Sequence, residues 1–400
     1  MSEPLSRRLL LAALIVVLAF GAWLRISPST RMDKLGFDEN YYRLYLTILK
    51  PKGLVSYPLL ASSYAAAQAE MPAAVIPPTR VTFLASAYFW EQAFHTGPLI
   101  ALRSVSCLFT VLSLALTAIF AWRMGGRAIA VGVTALMSCA PLQIQMAQRV
   151  YVDGVFAFWA LLTLWLLWEN LCSPNDYRWL AAYLASFALL IMTKENAAFV
   201  FLAIAVLIAV NRWLAFGKVT PKLVVATLLG PALGVIGLIA AAGGLDSLIN
   251  VFKLNISKSY ALAYAIKTGD GPWFRYVLDL LAMSPVVILL AVAGFVRRDD
   301  KRSAYFAFFI AVSYAVMANL RYGMNLRYAA MWDMPLRWLA FGQLLYLATF
   351  MPARFRPWFL SLTVVVTAAT DLSHYYLFFA QNGMYDPVPE PMLRVLNILK

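Results

Sequence analysis

The stretch LLLAALIVVLAFGAWLRI, residues 9–26, decides the fold class, because it is apolar over almost its whole length. About 18 to 22 such residues form a helix that can cross the roughly 30 Å hydrocarbon core of a membrane. Similar runs recur along the 400-residue chain, in which 62% of the residues are hydrophobic and only 13% are charged. The mean hydropathy is +0.73. The sequence therefore predicts an all-α, polytopic membrane protein.

Residues 9–26 follow Ser6-Arg7-Arg8, an arrangement that a secretion signal shares. No small-x-small cleavage site follows, however, and Trp23 and Arg25 close the segment. We interpret it as a retained anchor helix.

The number of spans depends on residues 81–93, an apolar segment that Glu91 and His95 interrupt. About 13 residues are too few to cross a membrane. We interpret the segment as an interfacial helix, so that residues 27–102 form a long first outer loop with juxtamembrane helices. About eleven spans are then predicted, at residues 9–26, 103–122, 128–147, 153–170, 178–193, 196–213, 222–242, 275–296, 303–320, 328–350 and 358–379.

The basic residues fix the orientation. With the N-terminus inside, every predicted inner connection is basic, carrying Arg7/Arg8, Arg123/Arg127, Arg178, Arg212/Lys218/Lys222, Arg297/Arg298/Lys301/Arg302 and Arg354/Arg356. Counting residues 81–93 as a span would move the Arg297 to Arg302 group outside, against the positive-inside rule. We predict one transmembrane domain over residues 1–380, a second large outer loop at 243–274 and a short outer tail at 381–400.

The net charge of +14 could suggest a nucleic-acid partner, but the basic residues are scattered through the connections between spans. We therefore predict no nucleic-acid binding. Cys107 and Cys139 lie inside apolar runs and Cys172 lies at a span end, so the sequence indicates no disulfide framework or metal-ligand spacing.

An acidic pair and a single aspartate at the predicted outer face are candidates for chemistry. Asp38 and Glu39 lie in Gly36-Phe37-Asp38-Glu39-Asn40-Tyr41-Tyr42, and Asp153 begins an apolar segment. A carboxylate at a helix start can also be a simple cap, favoured by the helix dipole, and this alternative stays open for both positions.

Cations lie at the same predicted face. Lys194 stands between two spans, and Arg327 opens another, with Arg321 six residues earlier. Interfacial anchoring is the alternative for each of them. Asp333 and Arg337 are four residues apart on one predicted helix and can pair, either as a functional group or as a structural clasp.

Together, these outer groups suggest transfer from a phosphate-bearing lipid. An attacking hydroxyl needs a base because it is a poor nucleophile, and cations stabilise the charge that grows on a departing phosphate. Asp38 suits the first role and the arginines suit the second.

The chain resembles the superfamily of C-type glycosyltransferases, in particular protein O-mannosyltransferases and lipid A aminoarabinose transferases. The similarity covers about residues 5–350 and rests on the order of short motifs: Phe37-Asp38-Glu39, Ile76-Pro77-Pro78, Ala101-Leu102-Arg103-Ser104, Pro141 to Arg149 with Asp153, Thr193-Lys194-Glu195 and Arg327-Tyr328. These enzymes take a sugar from a polyprenyl-phosphate carrier on the side of the membrane away from the cytoplasm.

The resemblance implies roles for individual residues. Asp38 would be the catalytic base with Glu39 as its companion, and Asp153 would help to arrange the acceptor or a metal. The donor phosphate would be bound by Arg103, Lys194, Arg327 and Tyr328. The chain departs from the family in two ways: few residues follow the last predicted span, and Asp333 and Arg337 interrupt the segment after Arg327-Tyr328.

The sequence thus predicts a multi-pass enzyme of a bacterial inner or plasma membrane that transfers a hexosyl or pentosyl group at the periplasmic or outer side. Its partners would be a polyprenyl-phosphate sugar donor, membrane lipid, and an acceptor lipid, glycan or protein. No cofactor is predicted, although a divalent metal stays open. A transporter or flippase of lipid-linked sugars and a catalytically inactive subunit are the alternatives.

Overall fold

The structure is a computed structural model that describes residues 3–27, 35–262, 266, 269–297, 300–320, 324–384 and 391. Within these ranges the chain is helical and contains no strand. The predicted all-α class is therefore confirmed. Arg298, Arg321 and most of the predicted tail at 381–400 lie outside the described residues.

The chain folds into a succession of helices joined by short connections. In order, these are α1 (Glu3–Ile26), α2 (Phe37–Leu49), α3 (Tyr57–Glu70), α4 (Val81–Phe94), α5 (Pro98–Gly125), α6 (Arg127–Ser138), α7 (Pro141–Gln148), α8 (Val152–Cys172), α9 (Tyr177–Ile191), α10 (Ala197–Leu214), α11 (Pro221–Ala242), α12 (Leu245–Ser259), α13 (Arg275–Met283), α14 (Pro285–Val296), α15 (Lys301–Met317), α16 (Asp333–Thr349) and α17 (Arg356–Tyr375). Two 3-10 helices (Leu54–Ser56 and Leu326–Trp332) and a π-helix (Tyr376–Gln381) complete the described elements.

Five of the described helices are long and apolar enough to cross a membrane, namely α1 from Arg7, α5, α8, α10 and α11. The pair α6 and α7 makes a sixth if it counts as one span. Helices α9 and α14 are apolar but shorter. These features indicate a multi-pass membrane protein, while the count of about eleven spans stays a prediction.

Prolines divide two of the predicted spans. The run at residues 128–147 is two helices, α6 and α7, bent by 58° before Pro141. The run at 275–296 is likewise divided into α13 and α14 before Pro285. Proline has no backbone N–H and its ring crowds the preceding turn, so it begins a helix readily and continues one poorly.

Two buried arginines donate hydrogen bonds to the backbone carbonyl groups at the C-terminal end of α6, where the break occurs. Arg25 from α1 donates to the carbonyl oxygens of Met137 and Ser138, both at 3.0 Å. Arg337 from α16 donates through Nε to the carbonyl of Leu136 at 3.0 Å. Carbonyls at a helix C-terminus lack partners within the helix, so these side chains take the place of the missing turn.

Arg337 also forms the predicted pair with Asp333, at 2.8 Å, and a second pair with Asp371 of α17, at 2.7 Å. All three side chains are almost fully buried. The contacts tie α16 to α17 and to the break after α6, and thus support the structural reading of the Asp333 and Arg337 pair.

The predicted first outer loop consists mainly of helices, because α2, α3 and α4 all precede α5. Their shared core includes Tyr42 and Phe83, which pack with Leu102 of α5 and Val155 of α8. From the second predicted outer loop, α12 joins this layer, since Lys258 caps the end of α3. The layer therefore covers the end of the bundle where α5 and α8 begin.

Helix α5 runs from one end of the helix bundle to the other. It begins beside the α2–α4 layer, and its 28 residues span about 42 Å. At its far end Arg123 binds Glu169 of α8 through two hydrogen bonds of 2.8 and 2.7 Å. The layer and the Arg123 end thus lie on opposite sides of the bundle.

Candidate active site

The acidic pair lies in the first turn of α2, directly after Gly36. The carboxylate of Glu39, rather than that of Asp38, accepts a hydrogen bond from the Gly36 N–H, at 2.9 Å. Glu39 therefore caps the helix. Of the two acidic residues, Glu39 is therefore the one that acts as the helix cap. The Asp38 carboxylate does not cap α2 and contacts other residues.

Glu39 is fully buried and is held by groups from two further elements. Arg103 of α5 donates to Oε1 at 3.2 Å, and the Val150 N–H donates to the same oxygen at 3.1 Å. Arg149 lies 3.6 Å from Oε2. Glu39 thus links α2, α5 and the connection between α7 and α8, and it positions its neighbour Asp38.

Asp38 faces a cluster of charges from distant parts of the chain. Its Oδ2 accepts a hydrogen bond from Arg327 at 2.9 Å. The same Arg327 nitrogen lies 3.5 Å from Oδ2 of Asp153. The other oxygen of Asp153 accepts a hydrogen bond from Lys194. Four charged groups that are far apart in sequence therefore meet in one place, each at most 8% exposed.

Local structure orients the two cations. Arg327 lies in the 3-10 helix Leu326–Trp332, where the side chain of Asn325 accepts hydrogen bonds from its backbone N–H and its Nε. Its guanidinium lies over the ring of Tyr151 at 4.4 Å. Lys194 lies in the turn between α9 and α10, with Nζ 3.7 Å from the centre of the Tyr328 ring. Cations over aromatic faces keep their charge at low cost in a buried site.

Arg80 is a charged residue of this region that the sequence analysis missed. It precedes α4, donates to the hydroxyl of Tyr42, and pairs with Glu195 at 3.1 Å. The only signal in the sequence was an arginine that closes the stretch after Ile76-Pro77-Pro78. A basic residue directly before a short apolar helix looks like an interfacial anchor, so its role was hidden.

The region carries one positive charge in excess. It contains four carboxylates and five cations, namely Asp38, Glu39, Asp153 and Glu195 with Arg80, Arg103, Arg149, Lys194 and Arg327. Packing around the Glu195 carboxyl would raise its pKa, but Arg80 and Lys194 outweigh this effect and hold that pKa below its usual range. Such a balance favours an anion such as a phosphate over a cation.

All seven residues predicted for the site lie in or beside this cluster. Successive contacts link Asp38 to Arg327, Arg327 to Asp153, Asp153 to Lys194 and Lys194 to Tyr328, and Glu39 and Arg103 form the adjacent pair. Arg103 is the most exposed of the five cations, with 31% of its side chain accessible. In the described part of the chain, no three or more His, Cys, Asp or Glu side chains are arranged to hold a metal ion.

Comparisons with known proteins give the family context. The family model for dolichyl-phosphate-mannose-protein mannosyltransferases matches residues 58–241. No curated protein sequence matches the chain significantly.

Among solved structures, ArnT from Cupriavidus metallidurans is similar in the apo state, with a TM-score of 0.55 and 14% identity over 95% of this chain and 76% of ArnT. ArnT bound to undecaprenyl phosphate gives a TM-score of 0.53 and 15% identity over 98% and 79% of the two chains. The Archaeoglobus fulgidus oligosaccharyltransferase, in complex with Zn and sulfate, gives 0.61 and 14% over 91% of this chain and 52% of its own. The chain thus spans about half of the length of the archaeal enzyme.

These likenesses define a membrane protein with the fold of the C-type glycosyltransferases. The resemblance predicted from the serial motifs is confirmed: residues 58–241 match the mannosyltransferase family model, and the fold is similar to that of ArnT and the archaeal oligosaccharyltransferase.

Proposed function

We propose that the protein is a glycosyltransferase that takes a sugar from a polyprenyl-phosphate donor and transfers it to an acceptor lipid, glycan or protein at the non-cytoplasmic face. The observation that carries the proposal is the convergence of Asp38, Asp153, Lys194 and Arg327 from four separate elements. The family model of mannosyltransferases and the similarity to ArnT, which binds undecaprenyl phosphate, support this substrate class.

In the proposed reaction, the acceptor oxygen attacks the anomeric carbon of the sugar while the bond from that carbon to the phosphate oxygen breaks. Asp38 takes the proton of the acceptor, and the phosphate leaves as the polyprenyl phosphate. Arg327 and Lys194 stabilise the charge that grows on the leaving oxygen. Asp153 keeps both cations in place, because it contacts each of them.

The ion pair between Asp38 and Arg327 suits this sequence of events. The Arg327 guanidinium donates a hydrogen bond to the Asp38 carboxylate at 2.9 Å, so the two groups occupy each other before the donor binds. When a donor phosphate binds to Arg327, part of that interaction moves to the phosphate. The Asp38 carboxylate is then released to accept a hydrogen bond from the acceptor at the moment when the donor is in place.

The distribution of basic residues supports the outer placement of the site. The cluster lies at the end of the bundle where α5 begins, whereas Arg123, Arg178, Lys222 and Arg297 lie in or beside the terminal turns of helices at the other end. By the positive-inside rule the second end faces the cytoplasm.

The test is the Asp38→Asn variant. We expect transfer to fall by about 10²–10⁴-fold, the usual contribution of a general base, because the amide cannot take a proton. Binding of undecaprenyl phosphate should persist. Mass spectrometry of envelope glycans and glycolipids compares a deletion strain that carries the wild type, Asp38→Asn, or the matched control Asp246→Asn, which alters an exposed carboxylate on α12. Wild-type product levels with Asp38→Asn would refute the assignment of the base.

A further inference from the structure

A second candidate site lies at the end of the molecule opposite to the charged cluster. There, a cavity of about 200 Å³ opens between the end of α14, the start of α15, the start of α6 and the middle of α16. Its polar lining comes from Arg297, Asp300, Ser303 and Gln343, beside Trp338 and Gly342. None of these residues takes part in the proposed transfer reaction.

The polar lining offers both hydrogen-bond donors and acceptors, so it suits a ligand that both accepts and donates hydrogen bonds. Gln343 is only 8% exposed, and its Oε1 has no hydrogen-bond partner in the described part of the chain. A buried amide oxygen without a partner costs free energy, so a ligand donor that reaches it is favoured. The Asp300 carboxylate is a second acceptor at the rim.

Arg297 supplies the cation. Its guanidinium stacks at 3.6 Å on the ring of Tyr346. Stacking occupies the face of a guanidinium, whereas its N–H donors lie in its plane and suit the oxygens of a phosphate. The negative charge of Asp300 would repel a phosphate placed next to it. The Asp300 carboxylate instead accepts hydrogen bonds from the backbone N–H groups of Arg302 and Ser303 and from the Ser303 hydroxyl. The phosphate therefore belongs at Arg297, and a donor group belongs near Gln343 and Asp300.

The surroundings indicate that this phosphate is part of a lipid. Helix α14, which ends at the cavity, exposes Leu289, Val292 and Val296 at helical spacing. In a membrane protein such a stripe faces acyl chains. A ligand with its phosphate at Arg297 can extend its chains along this stripe.

We propose that the cavity binds the head group of a membrane phospholipid, with the phosphate at Arg297 and a hydroxyl or ammonium donor directed to Gln343 and Asp300. Phosphoglycerol and phosphoethanolamine head groups carry such donors. A phosphocholine head group carries none, because its nitrogen is fully methylated. The site should therefore distinguish these lipids.

The test measures lipid binding to the delipidated full-length protein in detergent by native mass spectrometry. The probes are dioleoyl phosphatidylglycerol, dioleoyl phosphatidylethanolamine and dioleoyl phosphatidylcholine. We expect the first two to bind about tenfold or more tightly than the third, which corresponds to one well-formed hydrogen bond to a charged group. Equal binding of all three lipids would overturn the proposal.

Two variants localise the binding. Arg297→Gln removes the charge, and Gly342→Leu fills the cavity, since the nearest atom to a Cβ at Gly342 is the Ser303 Oγ at 3.8 Å. Each should weaken phosphatidylglycerol binding by about tenfold or more. The matched control is Arg354→Gln, which alters an exposed arginine stacked on Phe355 outside the cavity. Thermal melting identifies a variant that fails to fold.

Two outcomes contradict the proposal directly: folded Arg297→Gln and Gly342→Leu proteins that bind lipid like the wild type, or displacement of the lipid by millimolar inorganic phosphate, which would make the ligand a free phosphate. The measurement uses no sugar donor, so its result is independent of the proposed transferase activity.

Discussion

Arg327 contacts both aspartates of the cluster, so its replacement tests the proposed binding of the donor phosphate. The two buried aspartates also lose a partner, so affinity and rate are measured per folded molecule. In Arg327→Ala we expect weaker binding of undecaprenyl phosphate and a loss of about 10²–10³-fold in transfer, because a preorganised cation at the leaving oxygen is lost. Titration with undecaprenyl phosphate and product analysis provide the readouts. Arg43→Ala on the exposed face of α2 is the matched control. An unchanged affinity together with an unchanged rate would remove Arg327 from the site.

Glu39 gives a different expectation, although it is adjacent to Asp38 in sequence. Glu39→Gln removes the charge that Arg103 and Arg149 face, and a buried pair that loses one partner destabilises a protein by about 3–5 kcal/mol. We expect lower thermal stability and a lower yield, with transfer per folded molecule reduced far less than in Asp38→Asn. If Glu39→Gln is as stable as the wild type but inactive, Glu39 acts in the chemistry and not in positioning.

At the level of single residues, the motifs predicted the members of the cluster better than their partners. Asp38, Asp153, Lys194 and Arg327 each follow or precede an apolar run, and a charge in that position stands out in a sequence. The pairing of Arg103 with Glu39, and of Arg80 with Tyr42 and Glu195, depends on how α2, α4 and α5 pack together. Linear spacing holds no information about such contacts.

The contact between α9 and α11 depends on two glycines, Gly230 and Gly234, four residues apart. A Cβ at Gly234 would lie 2.7 Å from the backbone oxygen of Ala188, which has little room to move. We expect Gly234→Ala to cost about 1–3 kcal/mol of stability, as overpacking does. Thermal melting in detergent measures the loss.

Gly237 provides the matched control on the same helix. A Cβ there meets the end of the flexible Met192 side chain, at 2.7 Å from its sulfur. Gly237→Ala should therefore be neutral or slightly stabilising, because alanine favours a helix by about 1 kcal/mol over glycine. Equal melting temperatures for both variants would show that close backbone approach does not hold α9 against α11.

At the level of elements, hydrophobic runs located the helices well but not their interruptions. The run at residues 128–147 has enough apolar residues for one span, yet Pro141 divides it. The signal was present in the sequence, since proline begins helices, but run length alone gives it no weight. The 3-10 helix that follows Asn325 has no comparable signal in the sequence. Its first turn is capped by the Asn325 side chain, which accepts a hydrogen bond from the Arg327 N–H.

The orientation of the whole molecule can be tested with cysteines. In a background without Cys107, Cys139 and Cys172, we expect Asp246→Cys to react with a membrane-impermeant maleimide from the outside of intact cells. Asn175→Cys should react only after the membrane is opened. Both positions are exposed. Asp246 lies in the first turn of α12 and Asn175 in the connection between α8 and α9, at opposite ends of the bundle. Labelling of both from the same side would contradict the proposed placement of the site.

For the whole molecule, the charge distribution predicted that the catalytic candidates share one end of the bundle, and the structure brings them together. The cavity beside Arg297 was beyond sequence analysis. It forms where α6, α14, α15 and α16 meet, and the shape of a space between four helices depends on packing that no single segment specifies.

The arginines at the end of α6 bear on biogenesis. Arg25 enters the membrane with the first helix, but Arg337 is synthesised about two hundred residues after the carbonyl of Leu136 that it binds. Until then, that carbonyl faces the bilayer or the insertion machinery unpaired, at a cost of several kcal/mol. A nascent chain that stops short of α16 should therefore remain an assembly intermediate, open to degradation by membrane proteases, and maturation should be completed only when the late helices arrive.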